Sequence, residues 1–388
     1  MSCANRTKGY QVQEGFAYGV GLTPTSSELW GGGTYPTVDT IFKTTTPTPP
    51  TETPEYYDND ETTGDVSKSR DYLTAKPNEG TATTLVYPES TGFFLYNALG
   101  YADLSGPHAD GSLYAHIFEI DGTGFDQCGY TSAEAALATA NTSLSPSYNS
   151  GDRKNRDFVR LQNMGPADYK QANCRINSFV ISGTSKEPVK YELGFLSEEV
   201  EKDTGKTESS AWTFTQSDFT SPIQLRQTSS FEVEGTEVGI MDFNYTLSKE
   251  IDGDRYPTGT ANDGFNRGEP FTNGPATVEL TFTVEKHDAL TWENYRTNNT
   301  NIAIKHEFTQ STTGFLGIYF PEVQVKTAEP DPAGGSRINI TAVANYVTGT
   351  DPFDTERTFD VGEISRLYKT PMYIILKNSK SINYMRQA

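Results

Sequence analysis

"NEGTATTLVYPESTGFFLYNALG", residues 78–100, joins a short extended run to a short helical pattern. Four apolar residues of its second half are spaced to share one side of a helix: Phe94, Leu95, Ala98 and Leu99. Gly100 stands where such a helix would end, and Ser90 and Thr91 are candidates for its N-cap. The stretch therefore predicts one strand followed by one short amphipathic helix.

The same order recurs in "TNGPATVELTFTVEKHDALTWENYR", residues 272–296. Gly80 and Gly274 are 194 residues apart (274 − 80 = 194), and Ala82 and Ala276 have the same separation (276 − 82 = 194). Asp288 is the candidate cap of the second helix. Three residues share its apolar face: Ala289, Trp292 and Tyr295. The sequence therefore predicts an internal repeat.

Further elements follow each helix in the same order. "SLYAHIFEI" follows the first and "NIAIKHEFTQ" the second, and each half then ends in two extended runs around a polar turn. We expect a first unit over residues 1–200, with a Thr/Pro-rich loop at about 44–80, a linker over 201–211, and a second unit over 212–388.

Strict apolar–polar alternation in the extended runs predicts antiparallel sheet with one dry and one wet face. In "VELTFTVE" the apolar residues are Val278, Leu280, Phe282 and Val284. "VKYELGF" and "IMDFNYTLS" alternate in the same way. The chain has 35% hydrophobic and 12% aromatic residues, with 34 Gly and 21 Pro. This composition favours a mainly β fold with long loops, and the repeated pattern adds one short flanking helix per unit.

The charge and the start of the chain restrict its partners and location. A net charge of −20 argues against tight, sequence-blind binding to a phosphate backbone, which needs clustered Lys and Arg. The start, "MSCANRTKGYQVQEG", lacks the apolar core of a secretory signal, and no long apolar run suggests a membrane span. We expect assembly in a cytoplasm. The three scattered cysteines predict no disulfide framework.

Catalytic and metal-binding patterns are not recognisable. Gly205-Lys206-Thr207 lacks the glycine that a phosphate-binding loop requires at Val200, and Ser336 lacks the closing glycine of a nucleophile elbow. The four histidines never reach metal-site spacing and are expected at strand ends or in loops: His108, His116, His287 and His306. The acidic loops "YYDNDETTGD" and "EIDGDRY" do not match a calcium hand, although metal binding there stays open. We predict no enzyme activity and no cofactor.

Several segments together resemble the major tail tube proteins of long-tailed bacteriophages, and most closely those with two tube domains in tandem. They are "GYQVQEGFAYGVG", "LVYPESTGFFLYNALG", "LYAHIFEI", "CRINSFVISGTSKEPVKYELGFL" and "GFLGIYFPEVQVKTAEPDPAGGSRINITAVANYV". The resemblance implies two tandem β-sandwich or half-barrel domains, whose long strands join those of neighbouring copies in a β-barrel around a channel. It also implies rings stacked into a virion tail tube.

The resemblance further implies partners and a passive role. A duplicated chain would close as a homotrimeric, pseudo-sixfold ring, assembled in the host cytoplasm and contacting the tape measure, tail terminator and tail tip proteins. Viral DNA would pass without specific binding during ejection, because a wall of carboxylates and hydroxyls repels phosphate. Five residues of the wet strand faces are expected to line this lumen: Glu192, Asp242, Glu279, Thr281 and Glu285. Their lying on the outer solvated face is the alternative.

Two other functions are compatible with the sequence. One is a secreted or surface β-rich protein that binds or depolymerises carbohydrate, because acidic residues are plentiful and a hydrolytic pair would not show in sequence. The other is a tail-tip adhesin or baseplate protein built on the same domain. The missing signal sequence and the internal duplication favour the tail tube.

Overall fold

The computed structural model describes part of the 388-residue chain. The described residues are 13–18, 40–42, 44, 51–52, 54–58, 71–107, 113–120, 158–163, 167–205, 221–252, 271–285, 289–310, 314–330, 337–347, 352–353 and 370–379.

The fold is mainly β, as predicted. The strands of the first half are β1 Gln13–Tyr18, β2 Thr40–Phe42, β3 Thr51–Glu52, β4 Glu55–Tyr57, β5 Tyr72–Ala75, β6 Asn78–Leu85, β7 Gly100–Pro107, β8 Tyr114–Ile120, β9 Phe158–Asn163, β10 Asp168–Thr184, β11 Lys190–Ser197 and β12 Glu199–Asp203. Those of the second half are β13 Thr228–Val233, β14 Thr236–Glu237, β15 Ile240–Asp252, β16 Phe271–Glu285, β17 Asn301–Gln310, β18 Gly314–Pro330, β19 Arg337–Ala344 and β20 Tyr373–Asn378. Two helices lie among them, α1 Pro88–Leu99 and α2 Ala289–Thr297.

An eight-stranded antiparallel sheet crosses from the first half of the chain into the second. Its strand order is β3, β6, β11, β10, β15, β16, β19 and the second part of β18. The two halves meet in this sheet where β10 pairs with β15, between Ser178↔Ser248 and Thr184↔Asp242. We call this ladder the internal junction.

A second sheet faces the other side of the core. Its strand order is β7, β8, β20, the first part of β18, β17, β13 and β14. Strand β18 therefore takes part in both sheets. The first part of β10 belongs to a further group of strands with β2, β1, β9 and β12. A separate two-stranded sheet is formed by β4 and β5.

The two halves repeat the same hairpin of a long and a short strand. Strands β10 and β18 each have 17 residues, and β11 and β19, which follow them, each have 8. Strand β6 pairs with β11 as β16 pairs with β19. The boundaries of the two units stay a prediction. The expected linker begins inside β12, which ends at Asp203.

One apolar core runs through both halves, and both helices contribute to it. Ten of the twelve residues of α1 are buried, and its Phe94 ring lies 5.4 Å from the ring of Tyr191 on β11. Helix α2 lies against β18, with Trp292 buried 5.8 Å from Phe282 of β16. The predicted pairing of Trp292 with Tyr295 on one helix face is confirmed, because their rings are 5.9 Å apart and Tyr295 packs on the core.

The end of α1 is as predicted, but its start is not. Gly100 caps the C-terminus with a φ of 100°, and its N–H donates to the Tyr96 carbonyl. The N-cap is Tyr87, followed by Pro88 in the first turn. The Thr91 hydroxyl lies inside the helix and donates to the Tyr87 carbonyl at 2.6 Å. Neither Ser90 nor Thr91 is therefore the cap. Asp288 lies outside the described residues.

The expectation that the histidines lie at strand ends or in loops is wrong for two of them. His116 and His306 lie within β8 and β17, and their side chains are almost completely buried. Each buried imidazole makes hydrogen bonds that replace those to water. His116 bonds to Asn378, and His306 bonds to Tyr245 and Thr228. His108 and His287 lie outside the described residues.

Candidate functional site

The solvent face of the eight-stranded sheet carries rows of polar residues. One row crosses seven strands through directly paired positions: Thr83, Glu192, Val180, Thr246, Glu279, Val343 and Gln324. The next row is Leu85, Lys190, Ser182, Asn244, Thr281, Thr341 and Thr327. We call this surface the acidic face.

The structure brings all five residues that the sequence predicted for a lumen onto the acidic face. Glu192, Glu279, Thr281 and Glu285 are exposed, and Asp242 is half-buried. Alternate residues of the same strands point into the core, as the alternation predicted: Tyr191, Leu193, Phe243, Tyr245, Leu280 and Phe282 are all buried. That these residues line a channel stays a prediction.

Carboxylates outnumber basic groups on the acidic face. Its carboxylates are Glu79, Glu192, Asp242, Glu279, Glu285 and Glu329, and its basic residues are Lys190, Arg337 and Lys326, whose ammonium bonds to the Gln324 side chain. Lys190 Nζ lies 3.7 Å from Glu192 Oε1, with both side chains close to half exposed. Such a surface pair contributes little to stability and leaves the face with a net negative charge.

A second feature of the eight-stranded sheet is its two edge strands. Strand β3 stands at one end and the second part of β18 at the other. Strand β17 pairs with β18 as far as Gln324, and no described strand pairs with the outer edge of β18 beyond Gln324 or with the outer edge of β3. An unpaired strand edge offers backbone donors and acceptors to another chain. Sequence reasoning did not identify this edge.

The His306 site is a buried polar cluster within the aromatic core. The Thr228 hydroxyl donates to the Leu225 carbonyl at 2.6 Å, so its oxygen accepts from His306 Nε2 at 3.3 Å. His306 Nδ1 then accepts from the Tyr245 hydroxyl at 3.0 Å. Burial lowers the pKa of His306 to about 3 and raises the pKa of Tyr245 well above its ordinary value. The imidazole is therefore neutral, and the cluster is structural.

The described residues do not reveal a catalytic or metal centre. They hold no group of three or more His, Cys, Asp or Glu side chains placed to bind a metal ion. Several sequence candidates lie outside the described residues, among them Lys206, Thr207, Ser336, Asp60 and Asp254. In the part of the chain that can be described, neither helix is long and apolar enough to cross a membrane.

The chain matches a known protein family but no curated protein. A family model described as "Phage tail tube protein" matches residues 17–350. No match is found among the curated proteins. The family match covers both long hairpins, both helices and every residue of the acidic face named above. The chain therefore belongs to the phage tail tube protein family.

Proposed function

We propose that three copies of the chain close into a pseudo-sixfold ring, that rings stack into the tail tube, and that the acidic face lines its lumen. Family membership makes the chain a structural component of the virion tail that assembles with copies of itself and with other tail proteins. The ring symmetry, the channel lining, passive DNA conduction and the contacts with the tape measure, terminator and tip proteins are part of the proposal. So are assembly in the host cytoplasm and the lack of enzymatic activity.

The internal junction is the observation that carries the ring proposal. The second part of β10, Ser178–Thr184, pairs with β15 of the following half. The corresponding segment of β18, counted from the start of each 17-residue strand, is 324–330 (314 − 168 = 146; 178 + 146 = 324). Pairing of this edge with the β3 end of the next copy would repeat the internal junction between chains. Three such repeats would return the sheet to its start and cover its edges.

The proposed role of the acidic face follows from its charge and its small hydroxyls. DNA carries one negative charge per about 1.7 Å of its axis, so a face dominated by carboxylates repels it instead of holding it. The neutral positions of the two rows are Ser, Thr, Asn and Gln side chains or half-buried aliphatic ones. These residues offer no stacking platform for bases. Passive conduction is therefore the function that this surface supports best.

Lys326→Pro tests the ring contact. Lys326 is the extra, exposed residue in the register shift between Val325 and Thr327, so it does not pair with β19. Proline there removes an N–H at the outer edge while sparing the β18–β19 ladder. We expect a folded protein that forms no rings by negative-stain microscopy, whereas Lys326→Ala assembles. Wild-type rings should average with threefold symmetry. Normal rings from Lys326→Pro would contradict the proposed contact.

Charge reversal tests the acidic face. Glu279→Lys with Glu285→Lys should leave ring assembly intact but slow genome release from phage particles that carry the variant. Glu237→Lys, on the exposed strand β14 outside the acidic face, is the matched control. Normal genome release from assembled double-variant tails would reject the lumen assignment.

A further inference from the structure

The last described strand, β20, fills a slot between strands that are distant in the sequence. One edge pairs with β8, from Tyr373↔Glu119 to Asn378↔Tyr114. The other edge pairs with the first part of β18, from Tyr319↔Tyr373 to Phe315↔Lys377. Strand β8 belongs to the first half of the chain and β18 to the second. A single six-residue strand therefore joins the two halves in the second sheet.

Both faces of β20 are buried. Ile374 and Leu376 point into the main core. Tyr373 and Ile375 point to the opposite side, where the Tyr373 ring stacks on the Tyr319 ring at 4.8 Å with an interplanar angle of 7°. Lys377, the one half-buried residue of the strand, places its ammonium 5.0 Å from the centre of the Phe315 ring. The slot therefore recognises alternate side chains on two faces as well as the backbone.

The end of β20 is fixed to the start of α1. Asn378 Nδ2 donates to the Pro88 carbonyl at 2.9 Å, and Asn378 Oδ1 accepts from His116 Nε2 at 3.0 Å. One residue further, the Ser379 N–H and hydroxyl donate to the two oxygens of Glu89 at 3.1 and 2.9 Å. These bonds set the register of the strand in the slot, because they join its end to a helix of the first half.

We propose that the slot between β8 and β18 is a strand-binding site, and that residues 370–379 dock in it as a separate step that fixes the two halves relative to each other. Every strand pairing that β20 makes is long-range, so its docking follows the formation of the sheets it joins. The internal junction joins the halves in one sheet, and β20 joins them in the opposite one. Insofar as docking prepares ring closure, the inference rests on the proposed function.

The first experiment uses the full chain with Lys377→Pro and, as the control, Lys377→Ala. Lys377 is the fifth of the six residues of β20 and is paired on both edges, so proline there removes a ladder hydrogen bond, whereas alanine retains it. By hydrogen exchange, we expect Lys377→Pro to lose amide protection in β20 and in the facing strands β8 and β18, while β11, β15 and β16 stay protected. A synthetic peptide of residues 370–379 should then bind one to one and restore that protection and ring assembly.

Two results of this experiment would overturn the inference. If protection is lost throughout the chain, β20 is an integral part of the core and not a separable occupant. If β20 stays protected in Lys377→Pro, or the peptide does not bind, the slot is not a strand-binding site. Exchange and peptide binding are measured on the unassembled chain, so they remain informative even if the ring proposal fails.

A second variant holds the strand in place. Ala115 and Lys377 are directly paired, so Ala115→Cys with Lys377→Cys allows a disulfide between β8 and β20. We expect the oxidised form to assemble as fast as the reduced form or faster, because docking is already complete. Loss of assembly on oxidation, with recovery on reduction, would show that β20 must leave the slot, which contradicts the inference.

Discussion

Replacing His306 should remove a large part of the pH dependence of stability. The imidazole is fully buried among the rings of Phe231, Phe243 and Phe308, and burial lowers its pKa from 6.5 to about 3. Between these two pH values the unfolded chain binds a proton that the folded chain excludes. The free energy of unfolding therefore falls as the pH is lowered from about 6.5 towards 3.

The size of this loss of stability follows from the shift in the pKa of His306. At pH 4.5 the unfolded imidazole is two pH units below its pKa, so His306 alone lowers the free energy of unfolding by about 3 kcal/mol relative to pH 7.5. The loss rises to about 5 kcal/mol near pH 3 and then levels off. The titratable group that hydrogen-bonds to the ring is Tyr245, whose raised pKa keeps it neutral.

The assay is urea unfolding of the unassembled chain at pH 7.5 and 4.5, monitored by circular dichroism. His306→Gln retains hydrogen-bonding groups but does not titrate, so its loss of stability between the two pH values should be smaller than that of the wild type by about 3 kcal/mol. Tyr245→Phe is the control, because it removes one hydrogen bond but leaves the buried imidazole. Equal losses in the wild type and His306→Gln would refute a neutral, buried His306.

Three further substitutions, two of them compared with a milder control variant, test the packing. Gly80→Ala should lower the free energy of unfolding by about 1–3 kcal/mol, because a Cβ there would lie 2.4 Å from the Phe195 ring. Gly274→Ala is the control, because a Cβ there meets the end of the Glu250 side chain, and it should lower the free energy of unfolding by less in the same urea titration. Gly100→Ala should cost about 1–2 kcal/mol, because its φ of 100° disfavours a side chain, and an unchanged thermal midpoint would contradict this. Trp292→Ala should cost about 3–5 kcal/mol through the cavity it leaves beside Phe282. Arg296→Ala, on the exposed side of α2, should leave the thermal midpoint unchanged.

The alternation of the strands was predictable because it depends only on local geometry. Val278, Leu280 and Phe282 had to share a face in any extended conformation, and that face had to be the buried one. The end of α1 at Gly100 was predictable for the same reason, because a left-handed residue closes a helix wherever it occurs. These features could be predicted without knowing which strands pack against them across the core.

Features that depend on distant partners were not predictable in the same way. The start of α1 is set by Pro88, whose carbonyl bonds to Asn378 almost 300 residues later. His116 and His306 were expected at strand ends or in loops, because the polar partners that allow their burial lie on strands far away in the sequence. Strand β20 was not identified, although "YIILKN" is an apolar run of the length typical of a strand buried on both faces.

Helices α1 and α2 differ in how far they are buried, and this difference bears on why the proposed chain of two units would be kept. Helix α1 is almost completely buried and bonds to the last residue of β20 and to Ser379, whereas α2 exposes Thr291, Asn294 and Arg296. In a sixfold ring of single units, one sequence would have to serve both as the covered helix and as the exposed one. In the proposed ring of three, the two environments alternate, so each helix is selected for only one.

The alternation would also divide the strand contacts into two classes, since the internal junction forms within a chain at any concentration while the contact at 324–330 requires a second copy. Ring assembly should therefore depend on the third power of the chain concentration at equilibrium, and a dependence on the sixth power would exclude the trimer.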